Sequence, residues 1–224
     1  MEQGLKMRTL HILNGQEMYN YFQKTNYLEQ DIMIPFNEAM CYGDTSADLF
    51  SPEFITIRAG VHHVTLEQYD EITLKPLQPL FREDFARITL WFDSDMFCQI
   101  NLLTILAWLD HTHYEGEIIF VLVGEKFEPL RTYTVNKVEG YNELYKKVLI
   151  QKEVPETIPL EPLEKGIKLY LDYLKQDSDL LKYIQRYPEV PDEEMVSVLI
   201  GRYKEYGLGD TQYLEIVKTH RSKL

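Results

Sequence analysis

Short runs of consecutive apolar residues are spaced along the first half of the chain. Four of them predict strands, at Thr9 to Leu13, Asp31 to Phe36, Ile88 to Phe92 and Glu117 to Val123. Continuous apolar runs, in contrast to alternating ones, are typical of parallel strands whose two faces are both covered. We therefore predict a mostly parallel sheet with helices packed on both sides.

The segments between these strands carry helical periodicity. Helices are predicted near Gln16 to Lys24, Pro52 to His63, Leu66 to Leu74 and Asp95 to Asp110. The last of these is apolar nearly all round, which indicates a buried helix. Asn14-Gly15 joins the first strand to the first helix, and a strand, a glycine turn and a helix in that order open a βαβ unit.

Beyond Gly140 every pattern is helical. The predicted helices are Tyr141 to Leu149, Leu160 to Leu174, Leu180 to Tyr187, Asp192 to Tyr206 and a short piece near Tyr213 to Thr219. Two apolar stripes at helical spacing consist of Ile167, Tyr170, Leu171 and Leu174, and of Val196, Leu199, Ile200 and Tyr203. Each such side chain gains roughly 1.5 to 3 kcal/mol on burial. We therefore expect these helices to dock on the rest of the chain.

Together these patterns predict an α/β fold with a three-layer, open, mostly parallel sheet of Rossmann-like type and an all-helical C-terminal part. We assign residues 1–150 to the α/β domain and residues 151–224 to the helical region, with the boundary in the proline-containing stretch Gln151 to Pro162. No apolar run approaches the roughly 20 residues of a membrane span. The first residues lack a signal-peptide pattern, so a cytoplasmic location is expected.

Charge and cysteine content narrow the classes of function. The formal net charge of −13 at pH 7 opposes binding to nucleic acid, whose affinity depends on lysine and arginine contacts with phosphate. Two cysteines, Cys41 and Cys98, are too few for a disulfide framework and do not form a metal-binding pair. We expect both to be buried free thiols. The sequence identifies no cofactor and leaves the oligomeric state open.

Polar residues follow the ends of the predicted strands. Ligands of open parallel sheets bind outside the carboxyl ends of the strands, where helix N-termini and connecting loops converge. The candidate ligand-binding residues at these ends are Asn14, Gly15, Glu38, Asp93, Asp95 and Gln99. A polar cleft formed by these residues is the predicted site.

Asp93 and Asp95 allow two interpretations. Two carboxylates at a strand end can hold Mg²⁺ against a phosphate, or one of them can act as a general base. Alternatively, one residue of Asp93-Ser94-Asp95 caps the following helix by accepting its unpaired N–H groups, which is worth about 1 kcal/mol. Both interpretations stay open at the level of sequence.

Common enzyme motifs are missing. The stretch from Asn14 to Met18 lacks the second and third glycines of a dinucleotide-binding fingerprint, and the chain contains neither GxxxxGK[ST] nor GxSxG. Histidines do not suggest a metal site either. His11 is predicted to be a core residue, the pair His62-His63 is predicted to be exposed without a role, and His111 and His113 lie where a helix C-terminus favours histidine.

Three blocks of sequence resemble a known family. They are HILNG at His11 to Gly15, EAMCYG at Glu38 to Gly43, and LWFDSDMFCQINL at Leu90 to Leu102. Their order and spacing are similar to those of the bacterial domain of unknown function 1835 family. That family usually has Gly-Asp at Gly15-Gln16 and His in place of Ser94. The helical region around Leu180 to Pro188 is similar to the one that follows the α/β part in many relatives.

The resemblance implies the fold and the position of the site. The family has no established biochemistry, so three functions remain open. The leading hypothesis is binding of a small polar or phosphorylated ligand, such as a nucleotide, at the strand C-termini. The alternatives are a Mg²⁺-assisted hydrolase or phosphotransferase that uses Asp93 and Asp95, and a protein-interaction module presented by the helical region.

Overall fold

A computed structural model describes residues 8–28 and 31–222. Its sheet contains β1 (Thr9–Leu13), β2 (Ile32–Pro35), β3 (Arg87–Phe92), β4 (Glu117–Val123) and β5 (Pro129–Val135). The strand order is β2-β1-β3-β4-β5, and all neighbours are parallel except β5, which runs antiparallel to β4. The predicted α/β fold with an open, mostly parallel sheet is confirmed.

The helices lie close to their predicted positions. They are α1 (Gln16–Thr25), α2 (Pro52–Val61), α3 (Leu66–Tyr69), α4 (Gln78–Arg82), α5 (Met96–His111), α6 (Tyr141–Tyr145), α7 (Glu161–Tyr173), α8 (Asp179–Arg186), α9 (Asp192–Arg202) and α10 (Asp210–Arg221). π-Helical turns at Asp70–Leu74 and Lys146–Ile150 extend α3 and α6, and a 3-10 turn at Lys204–Tyr206 follows α9. The C-terminal part is all helical, as predicted. In residues 8–28 and 31–222 no helix is long and apolar enough to cross a membrane.

Helices cover both faces of the sheet. Met18 and Phe22 of α1 pack with Trp91 of β3 on one face. The other face is covered by α5, which is buried on all sides, as its sequence predicts. A further helix, α7, lies against α5 so closely that a Cβ atom at Gly166 would lie 2.3 Å from Cβ of Gln99. Glycine is therefore required where these two helices meet.

The C-terminal helices share a hydrophobic core with the sheet. Buried side chains of α7, α8, α9 and α10 belong to the same cluster as those of β1, β3 and α5. Among the residues of the two predicted stripes, Ile167, Tyr170 and Leu199 are fully buried. The prediction was wrong for Leu174 and Ile200, which are 42% and 41% exposed. The division into two domains stays a prediction.

β5 and α4 were not predicted. β5 is an edge strand in which Leu130, Arg131, Thr132 and Thr134 are exposed, so it lacks the continuous apolar run of a strand buried on both faces. Because only one neighbour contacts it, its side chains are free to be polar. α4 is a helix of five residues near the end of the long crossover that joins β2 to β3, residues 36–86, and is too short to show a period.

Candidate functional site

The strand order reverses between β1 and β3. The chain passes from β1 to β2, which lies next to β1 in the sheet. It then crosses over β1 to reach β3, which pairs with the opposite edge of β1. In open α/β sheets this reversal opens a crevice at the carboxyl ends of the two strands, where ligands bind. Asn14 and Gly15 follow β1, and Asp93, Ser94 and Asp95 follow β3. Two of the predicted polar segments therefore meet at the reversal.

Asn101 of α5 joins two of the predicted residues. Its Nδ2 donates to Oδ1 of Asn14 at 2.9 Å and to the backbone carbonyl of Glu38 at 2.7 Å, and its Oδ1 accepts from the Met40 amide at 3.0 Å. Nδ2 of Asn14 in turn donates to Sγ of Cys98 at 2.8 Å. Asn101 was missed in the sequence, although an amide inside an otherwise apolar helix signals a buried polar partner.

The Glu38 side chain forms a buried ion pair. Its Oε2 accepts from Nη2 of Arg58 at 2.7 Å, and both side chains are completely buried. Nε2 of His62 lies 3.0 Å from the same oxygen, and the Tyr69 hydroxyl donates to Oε1. Burial alone would raise the pKa of Glu38, but the bond from His62 and the charge of Arg58 outweigh it and lower the pKa to about 2.

Arg58 also holds the loop that follows Glu38. Its Nη1 donates to the carbonyls of Tyr42 at 2.8 Å and Asp44 at 3.0 Å, and its Nη2 donates to the carbonyl of Ala39 at 3.0 Å. We call Glu38, Arg58, His62 and Tyr69 the internal charge network. Every charge in it is matched by a partner inside the protein, so the network ties the segment that follows β2 to α2 and α3.

The histidines follow the sequence predictions in part. His11 is buried and accepts from the Trp91 indole at 3.0 Å, which confirms it as a partnered core residue. The prediction that His62 is exposed without a role was wrong, because it contacts Glu38. His63 is exposed, and its Nε2 lies 2.8 Å from a carboxylate oxygen of Glu215 on α10. Both cysteines are free and buried, as expected.

Asp95 closes the N-terminus of α5. Its Oδ1 accepts from the Cys98 amide at 2.7 Å, so Asp95 caps the helix. Burial raises its pKa to about 6. Gly207, in the left-handed region at φ +66°, lies against the carboxylate so closely that a Cβ atom there would be 2.5 Å from Cγ of Asp95. The C-terminal region therefore covers this helix end.

Asp93 and Gln99 lie beside the cap. Oδ1 of Asp93 accepts from the backbone amide of Ser94 and from its hydroxyl, the latter at 3.3 Å. Gln99 is fully buried under α7, and its Nε2 donates to the Asp93 carbonyl. Its Oε1 has no hydrogen-bond partner among the described residues. Gln99 therefore supports the Asp93 turn from inside the core.

Gly15 leaves the N-terminus of α1 open. The residue has φ +90°, a conformation that favours glycine, and provides no side chain to cap the helix. A Cβ atom at this position would meet nothing within 4 Å. The two helix N-termini at the reversal thus differ, because α5 is closed by Asp95 and α1 is uncapped.

A cavity of about 700 Å³ opens at the carboxyl ends of β3 and β4. It lies between the β3 end, the turn joining β4 to β5, and the C-terminal helices. Its charged lining residues are Asp93, Asp95, Glu125, Lys126, Glu128, Lys165, Lys204 and Glu205. We call this space the strand-end cavity. Asn14, Gly15, Glu38 and Gln99 do not line it, so the predicted residues divide between the cavity and its surroundings.

In the described ranges, no group of three or more His, Cys, Asp or Glu side chains is arranged to hold a metal ion.

Comparison of the chain with protein-family models, with curated proteins and with solved structures found no match. The resemblance to the domain of unknown function 1835 family therefore stays a prediction that rests on the three sequence blocks and the helical region around Leu180 to Pro188.

Proposed function

We propose that this protein binds a small polar ligand in the strand-end cavity. The observation that carries the proposal is the position of this cavity. It lies at the carboxyl end of β3, one of the two strands that flank the reversal of strand order. A volume of about 700 Å³ falls within the range of roughly 300 to 1,000 Å³ that is usual for ligand pockets.

The charged groups of the cavity support a ligand rather than a structural role. None of its eight charged side chains forms an ion pair with another residue in the described part of the chain. Charges that stabilise a fold by pairing are held against a partner, as Arg58 is against Glu38. Apart from Asp95, which caps α5 and is covered by Gly207, the charged groups of the cavity have no charged partner in the described ranges and can contact a solute.

The proposal is tested by filling the cavity. Ser94 is half-buried and lines it, so Ser94→Tyr introduces a ring into the ligand space. Ser197→Tyr is the matched control, because Ser197 is exposed on α9 and does not line the cavity. Thermal unfolding is followed with a panel of nucleoside monophosphates, sugar phosphates, amino acids and phosphoethanolamine.

A compound that binds the native state raises the melting temperature by mass action. We expect at least one compound to stabilise the parent and Ser197→Tyr while leaving Ser94→Tyr unchanged. Compounds that stabilise Ser94→Tyr as much as the parent would place binding elsewhere and contradict the proposed site.

A further inference from the structure

The charges of the strand-end cavity are divided between two walls. The strand-end wall carries the carboxylates of Asp93, Asp95, Glu125 and Glu128 together with Lys126, and the helical wall carries Lys165, Lys204 and Glu205. The first wall therefore has a net negative charge and the second a net positive one. A ligand that complements both must carry both signs.

We infer that the ligand is a small zwitterion, with an ammonium-type group facing the strand-end wall and a phosphate or carboxylate facing the helical wall. This inference rests on the proposed function, because it assigns a chemical class to the ligand of the same cavity. It adds a role for the C-terminal helices, which supply the cationic half of the site.

Asp93 is the residue placed to receive the cationic group. Its Oδ1 is engaged by the amide and hydroxyl of Ser94, but its Oδ2 accepts no hydrogen bond from any residue in the described ranges. Glu128 is held nearby, since its Oε2 accepts from the Lys126 amide at 3.0 Å. A Cβ atom at Gly124 would lie 2.6 Å from Oε1 of Glu128, so glycine leaves room for this carboxylate.

An anion alone does not fit the strand-end wall. The N-terminus of α5 would otherwise attract an anion to this wall, but Asp95 occupies it with a carboxylate and Gly207 covers that carboxylate. An anionic group placed there would meet like charges. The lysines of the opposite wall are its natural partners.

The helical wall is anchored to α5 at two points. Gly166, next to Lys165, packs against Gln99, and Gly207, three residues after Lys204, packs against Asp95. Both contacts are too close for a Cβ atom. The backbone that carries the two lysines is therefore held in place before a ligand arrives, which reduces the ordering cost of binding.

The inference is tested with a zwitterion and its two halves. Phosphoethanolamine, ethanolamine and inorganic phosphate are titrated separately into the full chain, and dissociation constants are measured by calorimetry or NMR. We expect phosphoethanolamine to bind about tenfold more tightly than either half, because it gains contacts at both walls. Ser94→Tyr should abolish its binding.

Lysine variants test the contribution of the helical wall independently of the strand-end wall. We expect Lys165→Ala with Lys204→Ala to weaken phosphoethanolamine binding about three- to tenfold while leaving ethanolamine binding unchanged. The control is Lys168→Ala with Lys182→Ala, which removes two exposed lysines of the same region that pair with Glu164 and Asp177 outside the cavity. This control should bind phosphoethanolamine as the parent does.

Several results would overturn the zwitterion inference. One is a dissociation constant for phosphoethanolamine equal to that for ethanolamine or phosphate. Another is equal affinity of the two lysine double variants for phosphoethanolamine. A third is that none of the three probes binds. The proposed function would survive these results if another compound of the panel stabilises the parent and is blocked by Ser94→Tyr. The proposed function itself would be contradicted if no compound of the panel stabilises the parent and loses this effect in Ser94→Tyr.

Discussion

The internal charge network and the strand-end cavity both lie beyond the carboxyl ends of the strands. They differ in whether their charged side chains have charged partners inside the protein. In the network, Glu38 and Arg58 are fully buried and each is satisfied by several partners inside the protein. In the cavity, eight charged side chains line open space without ion pairs to other described residues. Position at a strand end therefore does not by itself mark a ligand residue. The partners that each charge already has are the better guide.

Removal of residues 152–224 should have the largest effect on both regions. It deletes the helical wall of the cavity and uncovers α5, against which Leu163, Ile167 and Tyr170 are buried. Three such side chains at roughly 1.5 to 3 kcal/mol each approach the whole stability of many domains. We expect a chain ending at Gln151 to lose cooperative thermal unfolding or to aggregate. An unchanged melting temperature with a monomeric state would instead favour an independent interaction module.

Arg58→Met should have the next largest effect. It leaves the Glu38 carboxylate buried with no counter-charge of comparable strength, which costs about 3 to 5 kcal/mol in the free energy of unfolding by urea. Glu38→Leu added to Arg58→Met should recover part of this loss, because no charge then remains to be buried. As a control, Arg131→Met removes an exposed arginine paired with Glu161 and should cost less than about 1 kcal/mol. Equal losses for Arg58→Met and Arg131→Met would contradict a structural role for the network.

Asp95→Asn should have a smaller effect that depends on pH. The folded protein binds the Asp95 proton more tightly than the unfolded chain, since burial raises the pKa from 3.8 to about 6. The parent therefore loses stability as pH rises from about 4 to 6, and a capping Asn does not. We expect the stability difference to shift in favour of Asp95→Asn by about 1 to 2 kcal/mol between pH 4 and pH 7. A difference that is constant over this range would be the contrary result.

The same variant tests the magnesium alternative. If Asp95 holds Mg²⁺, millimolar Mg²⁺ should raise the melting temperature of the parent and not that of Asp95→Asn. If Asp95 caps the helix and lines the cavity, both proteins should be indifferent to Mg²⁺. Thermal unfolding with and without the ion separates these outcomes.

The smallest effect on stability is expected for Lys165→Ala and Lys204→Ala. Neither lysine pairs with a carboxylate in the part of the chain that the structure describes, so each change should alter the free energy of unfolding by no more than about 0.5 kcal/mol. Denaturant unfolding measures this directly. A loss comparable to that of Arg58→Met would show that the cavity lysines serve the fold.

Most of the sheet could be predicted from the sequence because β1, β3 and β4 are continuous apolar runs and α5 is apolar all round. Capping by one residue of Asp93-Ser94-Asp95 was one of two interpretations open in the sequence, because polar residues stand directly before an apolar helix, and the structure shows Asp95 as the cap. β5 could not be predicted, since an exposed edge strand carries no such signal.

The site was less predictable because its parts meet only through long-range packing. Arg58 lies 20 residues from Glu38, on a helix whose periodicity gives no hint of a buried ion pair. Lys165 and Lys204 come from the C-terminal helices and reach the cavity through the contacts of Gly166 and Gly207. Local patterns place polar residues at strand ends but do not show which of them are already satisfied.

The difference in role between the strand-end cavity and the internal charge network is tested most directly by a heteronuclear NMR titration with phosphoethanolamine. The titration follows the backbone amide signals. If the cavity binds the ligand and the network serves the fold, the largest shifts will occur at Ser94, Gly124 and Lys165, and the amides of Ala39 and Tyr42 will stay unchanged. Largest shifts at Ala39 and Tyr42, with none at the three cavity positions, would contradict this assignment of roles.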